Sequence, residues 1–192
     1  MAILHQAQLH PSKMELIEQW LRAASWYDGP AQPKVTQIAS FRFDDPAGEV
    51  GVETHIVRVD GGPILQVPLT YRGAPIQFGE SDLVGTMTHS VLGDRWVYDG
   101  TADPVYTDCI TGTILNGGSE AQLFRHADGH NVPVESSAHV VGSGPGSVSD
   151  QGYSLRVVRQ LGADAAAPDG PTLTGTWDGQ ETPILLAYLE SR

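Results

Sequence analysis

The sequence is short of cysteine, lysine and long apolar runs, and each shortage excludes a class of protein. Cys109 is the single cysteine among 192 residues, so the chain cannot form an internal disulfide, and we expect a reducing, cytoplasmic location. No run of about 18 apolar residues exists, which excludes a transmembrane helix, and the first residues lack the features of a signal peptide. Lys13 and Lys34 are the only lysines, and the nine arginines are scattered.

Acidic residues outnumber basic ones, with 23 Asp and Glu against 11 Lys and Arg, and the formal net charge is -12. A chain of this charge repels polyanions, so nucleic acid and anionic membranes are excluded as partners. We expect a single domain over residues 1–192, because a chain of this length buries about 70% of its unfolded surface and needs no metal or disulfide to fold.

A capping box at the N-terminus predicts the first helix. Ser12 and Glu15 have the spacing at which each side chain binds a backbone N–H left free at a helix start. The apolar stripe of this helix follows at three- and four-residue spacing, and the Gly29-Pro30 pair is expected to end it. The stripe comprises Met14, Ile17, Leu21 and Ala24.

From Lys34 the apolar period changes to two residues, which predicts strands. Turn-forming residues separate the segments 34–43, 50–59 and 64–71, so we expect a three-strand antiparallel meander with the helix packed on one face. One side of the first strand is expected to carry Val35, Gln37, Ala39, Phe41 and Phe43.

The remainder is expected to contain an irregular crossing over 73–118 and further antiparallel strands over 119–192. Asp103 as N-cap and Pro104 as first helical residue predict a second helix over 104–115. The later strands are expected at 121–125, 132–141, 152–161, 172–177 and 183–189, with hairpin turns at 127–130 and 177–179 and flexible loops from Gly142 and from Gly162. The fold class is therefore α+β: a helix on a twisted antiparallel sheet, a second helical segment and C-terminal strands.

The chain lacks the common catalytic spacings. It has no phosphate-binding loop, dinucleotide fingerprint, nucleophile elbow or zinc-protease motif. His126 and His130 stand four residues apart, but the turn between them indicates solvated loop histidines rather than metal ligands. His55 and His139 lie in predicted strands and are expected to be half-buried. We predict no catalytic residue, no metal site and no cofactor.

The segment 89–103 concentrates polar and aromatic side chains and is the best binding-site candidate. Arg95 is expected to pair with Asp99 or Asp103 and to stack on Trp96, in a cleft that recognises sugars or carboxylates. In the alternative interpretation, the aromatic residues anchor an irregular crossing that an Arg95–Asp99 pair holds in place. The candidate residues are His89, Arg95, Trp96, Tyr98, Asp99 and Asp103.

The first 72 residues resemble the N-terminal cap domain of actinobacterial maltokinases. The resemblance rests on the order of a helix, the runs 20–21 and 25–29, three strands and the run 66–69. The run 89–104 is similar to stand-alone cap-like proteins of actinobacteria, some named after glucan branching enzymes. The kinase caps carry a lysine after their Trp-Phe-Gly-Gly run, where this chain has Tyr27-Asp28-Gly29-Pro30.

The resemblance implies a cystatin-like α+β cap, which in full kinases sits over the nucleotide-binding lobe. It also implies a non-catalytic accessory or regulatory protein that contacts a sugar kinase or another enzyme of trehalose, maltose or glucan metabolism. The alternative hypothesis is a protein, or minor enzyme, that binds a small sugar or sugar phosphate at 89–103. The sequence leaves open whether the chain forms a homo-oligomer.

Overall fold

A computed structural model describes residues 2–4, 7–127, 130–144, 152–162 and 169–192. Within these ranges the chain forms two α-helices and three β-sheets of mostly antiparallel strands, which is consistent with the α+β class. The helices are α1 (Lys13–Leu21) and α2 (Pro104–Leu115). The strands are β1 (Ala2–Leu4), β2 (Leu9–His10), β3 (Val35–Asp44), β4 (Gly51–Val59), β5 (Ile64–Arg72), β6 (Leu83–His89), β7 (Gly93–Asp99), β8 (Leu123–Ala127), β9 (His130–Val134), β10 (Ala138–Gly142), β11 (Tyr153–Val157), β12 (Gln160–Leu161), β13 (Thr172–Trp177) and β14 (Gln180–Ser191).

The largest sheet has the strand order β2-β6-β7-β5-β4-β3, and the short strand β12 pairs with the free part of β5. The predicted meander of β3, β4 and β5 is confirmed, with antiparallel pairing throughout. Apart from β12, the C-terminal strands do not extend this sheet. They form a second sheet with the order β10-β13-β14-β11, and β1, β8 and β9 form a third.

The predicted capping box is confirmed at the start of α1. The Ser12 N–H donates to the Glu15 carboxylate at 2.7 Å, and the Glu15 N–H donates to the Ser12 hydroxyl at 3.3 Å. The expected end of the helix is wrong, because α1 ends at Leu21 rather than near Gly29. The carbonyl of Trp20 accepts N–H groups of residues 23 and 24 in a turn, and the chain then leaves the helix axis.

A β-bulge at Gln37–Ala39 decides which way β3 presents its side chains. The register on β4 shifts between these residues, so the alternation of faces reverses. Val35 is buried with the α1 side chains, whereas Phe41 and Phe43 are buried on the opposite face. The expectation that Val35, Gln37, Ala39, Phe41 and Phe43 share one face is therefore wrong, since periodicity alone does not register an inserted residue.

The large sheet is covered on both faces. Leu16, Ile17 and Leu21 of α1 pack on one face against residues such as Val57 and Leu65. On the other face, α2 and the second sheet pack against β3 and β4, and this core contains Phe41, Ile56, Tyr106, Ile110 and Leu186. The predicted α2 is confirmed, with Asp103 accepting the Val105 N–H at 3.0 Å.

Several other expectations need correction. The crossing expected over 73–118 contains the β6–β7 hairpin, which a register shift at Leu83–Gly85 hides from simple alternation. The segment 132–141 divides into β9 and β10, and 152–161 divides into β11 and β12. The turn at Asp178-Gly179 is confirmed. Residues 128–129 of the expected 127–130 hairpin, 145–151 of the Gly142 loop and 163–168 of the Gly162 loop lie outside the described residues.

Neither described helix combines the length and apolar character that crossing a bilayer requires.

Two glycines provide a matched test of the packing of β10 on α2. A Cβ at Gly142 would collide with the Thr113 carbonyl oxygen, so Gly142→Ala should lower the free energy of unfolding by about 2 kcal/mol. Gly112 lies within α2 with open space around it, so Gly112→Ala should raise that free energy by about 1 kcal/mol. Urea denaturation measures both changes, and equal stabilities of the two variants would contradict this packing.

Candidate functional site

The structure does not bring the six predicted site residues together. On β7, Trp96 and Tyr98 face one side of the sheet and Arg95 faces the other, because successive strand residues alternate. Arg95 therefore cannot stack on Trp96, which lines a separate shallow pocket with His10. The expected pairing of Arg95 with Asp99 or Asp103 is also wrong, since other arginines bind both carboxylates.

Each remaining candidate has a structural partner. Asp103 is fully buried, and Arg72 binds it through two hydrogen bonds of 2.7 Å. The Tyr98 hydroxyl accepts the Ile76 N–H at 2.9 Å. The His89 Nδ1 accepts N–H groups from residues 91 and 92 in the β6–β7 turn, at 3.2 and 3.1 Å. A ligand-binding role for the six residues stays a prediction, but they do not line one pocket.

Asp99 and Arg159 connect the C-terminal part of the chain to the end of α1. The Arg159 guanidinium donates to the Asp99 carboxylate at 2.6 Å and lies 4.8 Å from the ring centre of Trp26 and 5.9 Å from that of Trp20. A guanidinium over an aromatic face is attracted by the ring quadrupole. This contact fixes the segment before β12 against the α1 face of the large sheet.

A cleft of about 620 Å³ opens beside the first turn of α1, and we call it the Lys13 cleft. Its size is within the range of small-molecule sites. Residues of β3, β5, β6 and β7 and of the β3–β4 turn contribute its walls. The polar and charged residues that line it are Lys13, Arg42, Asp44, Asp45, Glu49, Tyr71, His89 and Arg95.

A buried polar cluster lies behind the wall of the Lys13 cleft. The Glu53 Oε2 is 2.5 Å from the Lys13 Nζ and 2.9 Å from the Arg42 Nη2. His55 is fully buried beside this carboxylate, with Nδ1 3.0 Å from the Gln37 Oε1 and Nε2 3.0 Å from the Tyr71 hydroxyl. Because an amide oxygen only accepts hydrogen bonds, Nδ1 carries the proton and Nε2 of the neutral ring accepts from Tyr71.

The surroundings set the charges of this cluster. Burial opposes the charge of Glu53, but the neighbouring His55, Arg42 and Lys13 side chains outweigh burial and hold its pKa well below the ordinary value. Burial lowers the pKa of His55 to about 4, so the ring is neutral at pH 7. Burial raises the pKa of Tyr71. Two cations therefore face one carboxylate within the buried cluster, whereas the carboxylates of Asp44, Asp45 and Glu49 line the cleft itself.

Sequence reasoning missed this cluster because its members are far apart in the chain. A lysine in the first helical turn opposes the helix dipole, so the capping box gave no reason to expect Lys13 to have a buried partner. One signal was present: Glu53 and His55 interrupt the apolar face of a strand that continues with Val57 and Val59. A charged residue on an apolar strand face needs a partner of opposite charge.

The other sequence candidates occupy ordinary positions. His55 is fully buried rather than half-buried, and His139 lies at the surface, 2.8 Å from the Glu120 carboxylate. His130 is exposed in β9. Burial raises the pKa of the Cys109 thiol to about 11, which makes it a poor nucleophile. Among the described residues no group of three His, Cys, Asp or Glu side chains is placed to hold a metal ion.

Comparison with known proteins gives a family match over part of the chain. Residues 20–103 match the family model of the maltokinase N-terminal cap domain. The matched segment begins at the end of α1, contains β3 to β7 and ends at the N-cap of α2, and it covers less than half of the chain. A search of curated proteins found no match.

The low pKa of His55 predicts a pH-dependent stability. In the unfolded chain His55 is protonated below about pH 6.5, whereas in the folded protein it stays neutral down to about pH 4. The free energy of unfolding should therefore fall with decreasing pH across this window, by up to about 1.4 kcal/mol per pH unit. Urea denaturation between about pH 7.5 and pH 5 measures the slope.

The matched variants for this experiment are His55→Gln and His130→Gln, the second at an exposed position. The first should flatten the slope, because glutamine does not titrate, and the second should leave it unchanged. Equal slopes in the parent and in His55→Gln would contradict the assignment.

Proposed function

We propose that this chain is a non-catalytic, cytoplasmic, cap-like accessory protein that acts by binding a sugar kinase or a related enzyme of maltose, trehalose or glucan metabolism. The observation that carries the proposal is the match of residues 20–103 to the maltokinase cap domain. The match coincides with β3 to β7, so it covers a continuous part of the large sheet.

Two features support this proposal beyond the match. α1 lies across one face of the antiparallel sheet, as expected for a cystatin-like cap. The sequence carries no phosphate-binding loop and no kinase catalytic motif, and phosphoryl transfer depends on such groups to position the phosphates. Because these 192 residues carry no kinase machinery, a cap role would be exerted on an enzyme that they contact.

Phe78 marks the surface that we assign to this contact. Its side chain is 85% exposed, and its φ of 63° lies in the left-handed region that bulky residues rarely adopt. The turn that holds it is well defined, because the Gly79 N–H donates to the Ile76 carbonyl and the Ile76 N–H donates to Tyr98. An exposed, strained aromatic residue contributes little to folding, whereas aromatic residues are frequent anchors of protein interfaces.

Replacing Phe78 should separate binding from stability. Asparagine tolerates positive φ, so Phe78→Asn should fold with equal or slightly higher stability, by up to about 1 kcal/mol. Its affinity for the kinase should fall at least about tenfold, as expected for an interface anchor. Biolayer interferometry against purified maltokinase, together with urea denaturation, measures both effects.

The matched control is Val141→Thr, which changes an exposed apolar residue of β10 outside the matched segment and should bind like the parent. Absence of any complex at about 10 μM, or unchanged binding by Phe78→Asn, would refute the proposed contact.

A further inference from the structure

Three basic side chains line the Lys13 cleft, although the chain contains few basic residues. Lys13, Arg42 and Arg95 line it, out of 11 Lys and Arg residues in the whole sequence. The lining also contains three carboxylates, so charges of both signs meet in this cleft: Asp44, Asp45 and Glu49.

The buried cluster holds two of these cations in fixed positions. Glu53 binds both Lys13 and Arg42 through one carboxylate oxygen. A buried ion cluster of this kind adds little stability compared with apolar side chains of the same volume, because desolvation offsets the attraction. Its clearest consequence is the fixed position of an ammonium and a guanidinium group at the wall of an open cleft.

Arg95 supplies a further cation in the same cleft. It lies on β7 opposite Met87 of β6, and both residues line the cavity. Beyond the end of β5, Gly73 leaves room for the guanidinium: a Cβ there would be 2.8 Å from the Arg95 Nη1. In the part of the chain that the structure describes, no carboxylate forms an ion pair with Arg95. Arg95 is therefore available to a ligand.

The β3–β4 turn contributes acceptors at another part of the lining. Asp45 is engaged by three backbone N–H groups of its own turn, at 2.9 to 3.0 Å. Glu49 lines the cleft and is exposed, so its carboxylate is in contact with solvent. Leu9, Met87 and Leu92 add apolar surface to the lining. The cleft thus combines three cations, three carboxylates and apolar contacts.

From this arrangement we propose that the Lys13 cleft binds a small phosphomonoester that carries hydroxyl groups. The phosphate would lie between Lys13 and Arg95, because ammonium and guanidinium groups form charge-assisted hydrogen bonds with phosphate oxygens. The hydroxyl groups would donate to Glu49, and the carbon skeleton would contact Met87 and Leu92. This site does not depend on the proposed contact with a kinase, since Phe78 does not line the cleft.

Isothermal titration calorimetry with defined probes tests the proposal. The probes are glucose 6-phosphate, glucose 1-phosphate and glycerol 3-phosphate, with glucose and inorganic phosphate as the two partial ligands. At least one ester should bind about tenfold more tightly than either partial ligand. Arg95→Met should weaken that binding at least about tenfold, because it removes a charge-assisted hydrogen bond.

Arg58→Met is the matched control, because Arg58 is an exposed arginine of the same sheet that does not line the cleft. It should bind like the parent, and thermal unfolding should show that both variants are folded. The proposal is overturned if no ester binds below about 10 mM, if inorganic phosphate binds as tightly as the esters, or if the two variants lose affinity equally.

Discussion

The arrangement around the large sheet depends on one buried carboxylate. Glu53 lies in the middle strand of the β3–β4–β5 meander and binds Lys13 from α1 and Arg42 from β3. Removing either cation would leave a buried charge incompletely paired, which costs several kcal/mol. The carboxylate therefore connects the first turn of α1 to the sheet and positions both cations at the Lys13 cleft.

The β-bulge in β3 makes this cluster possible. Gln37 precedes the bulge and contacts His55, whereas Arg42 follows it and contacts Glu53, so both reach the α1 face although their positions differ in parity. The same bulge turns Phe41 and Phe43 toward α2 and the second sheet. Because of this one inserted residue, β3 contributes side chains to the polar cluster on one face of the sheet and to the core with α2 and the second sheet on the other.

Short sequence patterns predicted most of the helices and strands, but they could not predict which residues meet over long distances in the chain. The capping box, the Asp103–Pro104 helix start and the strands β3 to β5 are each signalled by neighbours within a few residues, and all appear in the structure, although the bulge breaks the period of β3. Asp103 shows the limit: its capping role was predictable, but its pairing with Arg72 depends on the β5–β7 register. The β6–β7 hairpin escaped prediction because its register shift breaks the alternation. Lys13 and Glu53 meet only after the helix has packed on the sheet.

The ionisation of Glu53 tests the account most directly. The carboxyl carbon of Glu53, assigned by comparison with Glu53→Gln, can be followed by ¹³C NMR as the folded protein is taken from neutral to acidic pH. A carboxylate bound by Lys13 and Arg42 keeps its pKa well below the ordinary value. Its signal should therefore not move at about pH 4.3, where exposed glutamates titrate. Titration of Glu53 together with the exposed glutamates would contradict the buried cluster, and with it the positioning of the cations at the cleft.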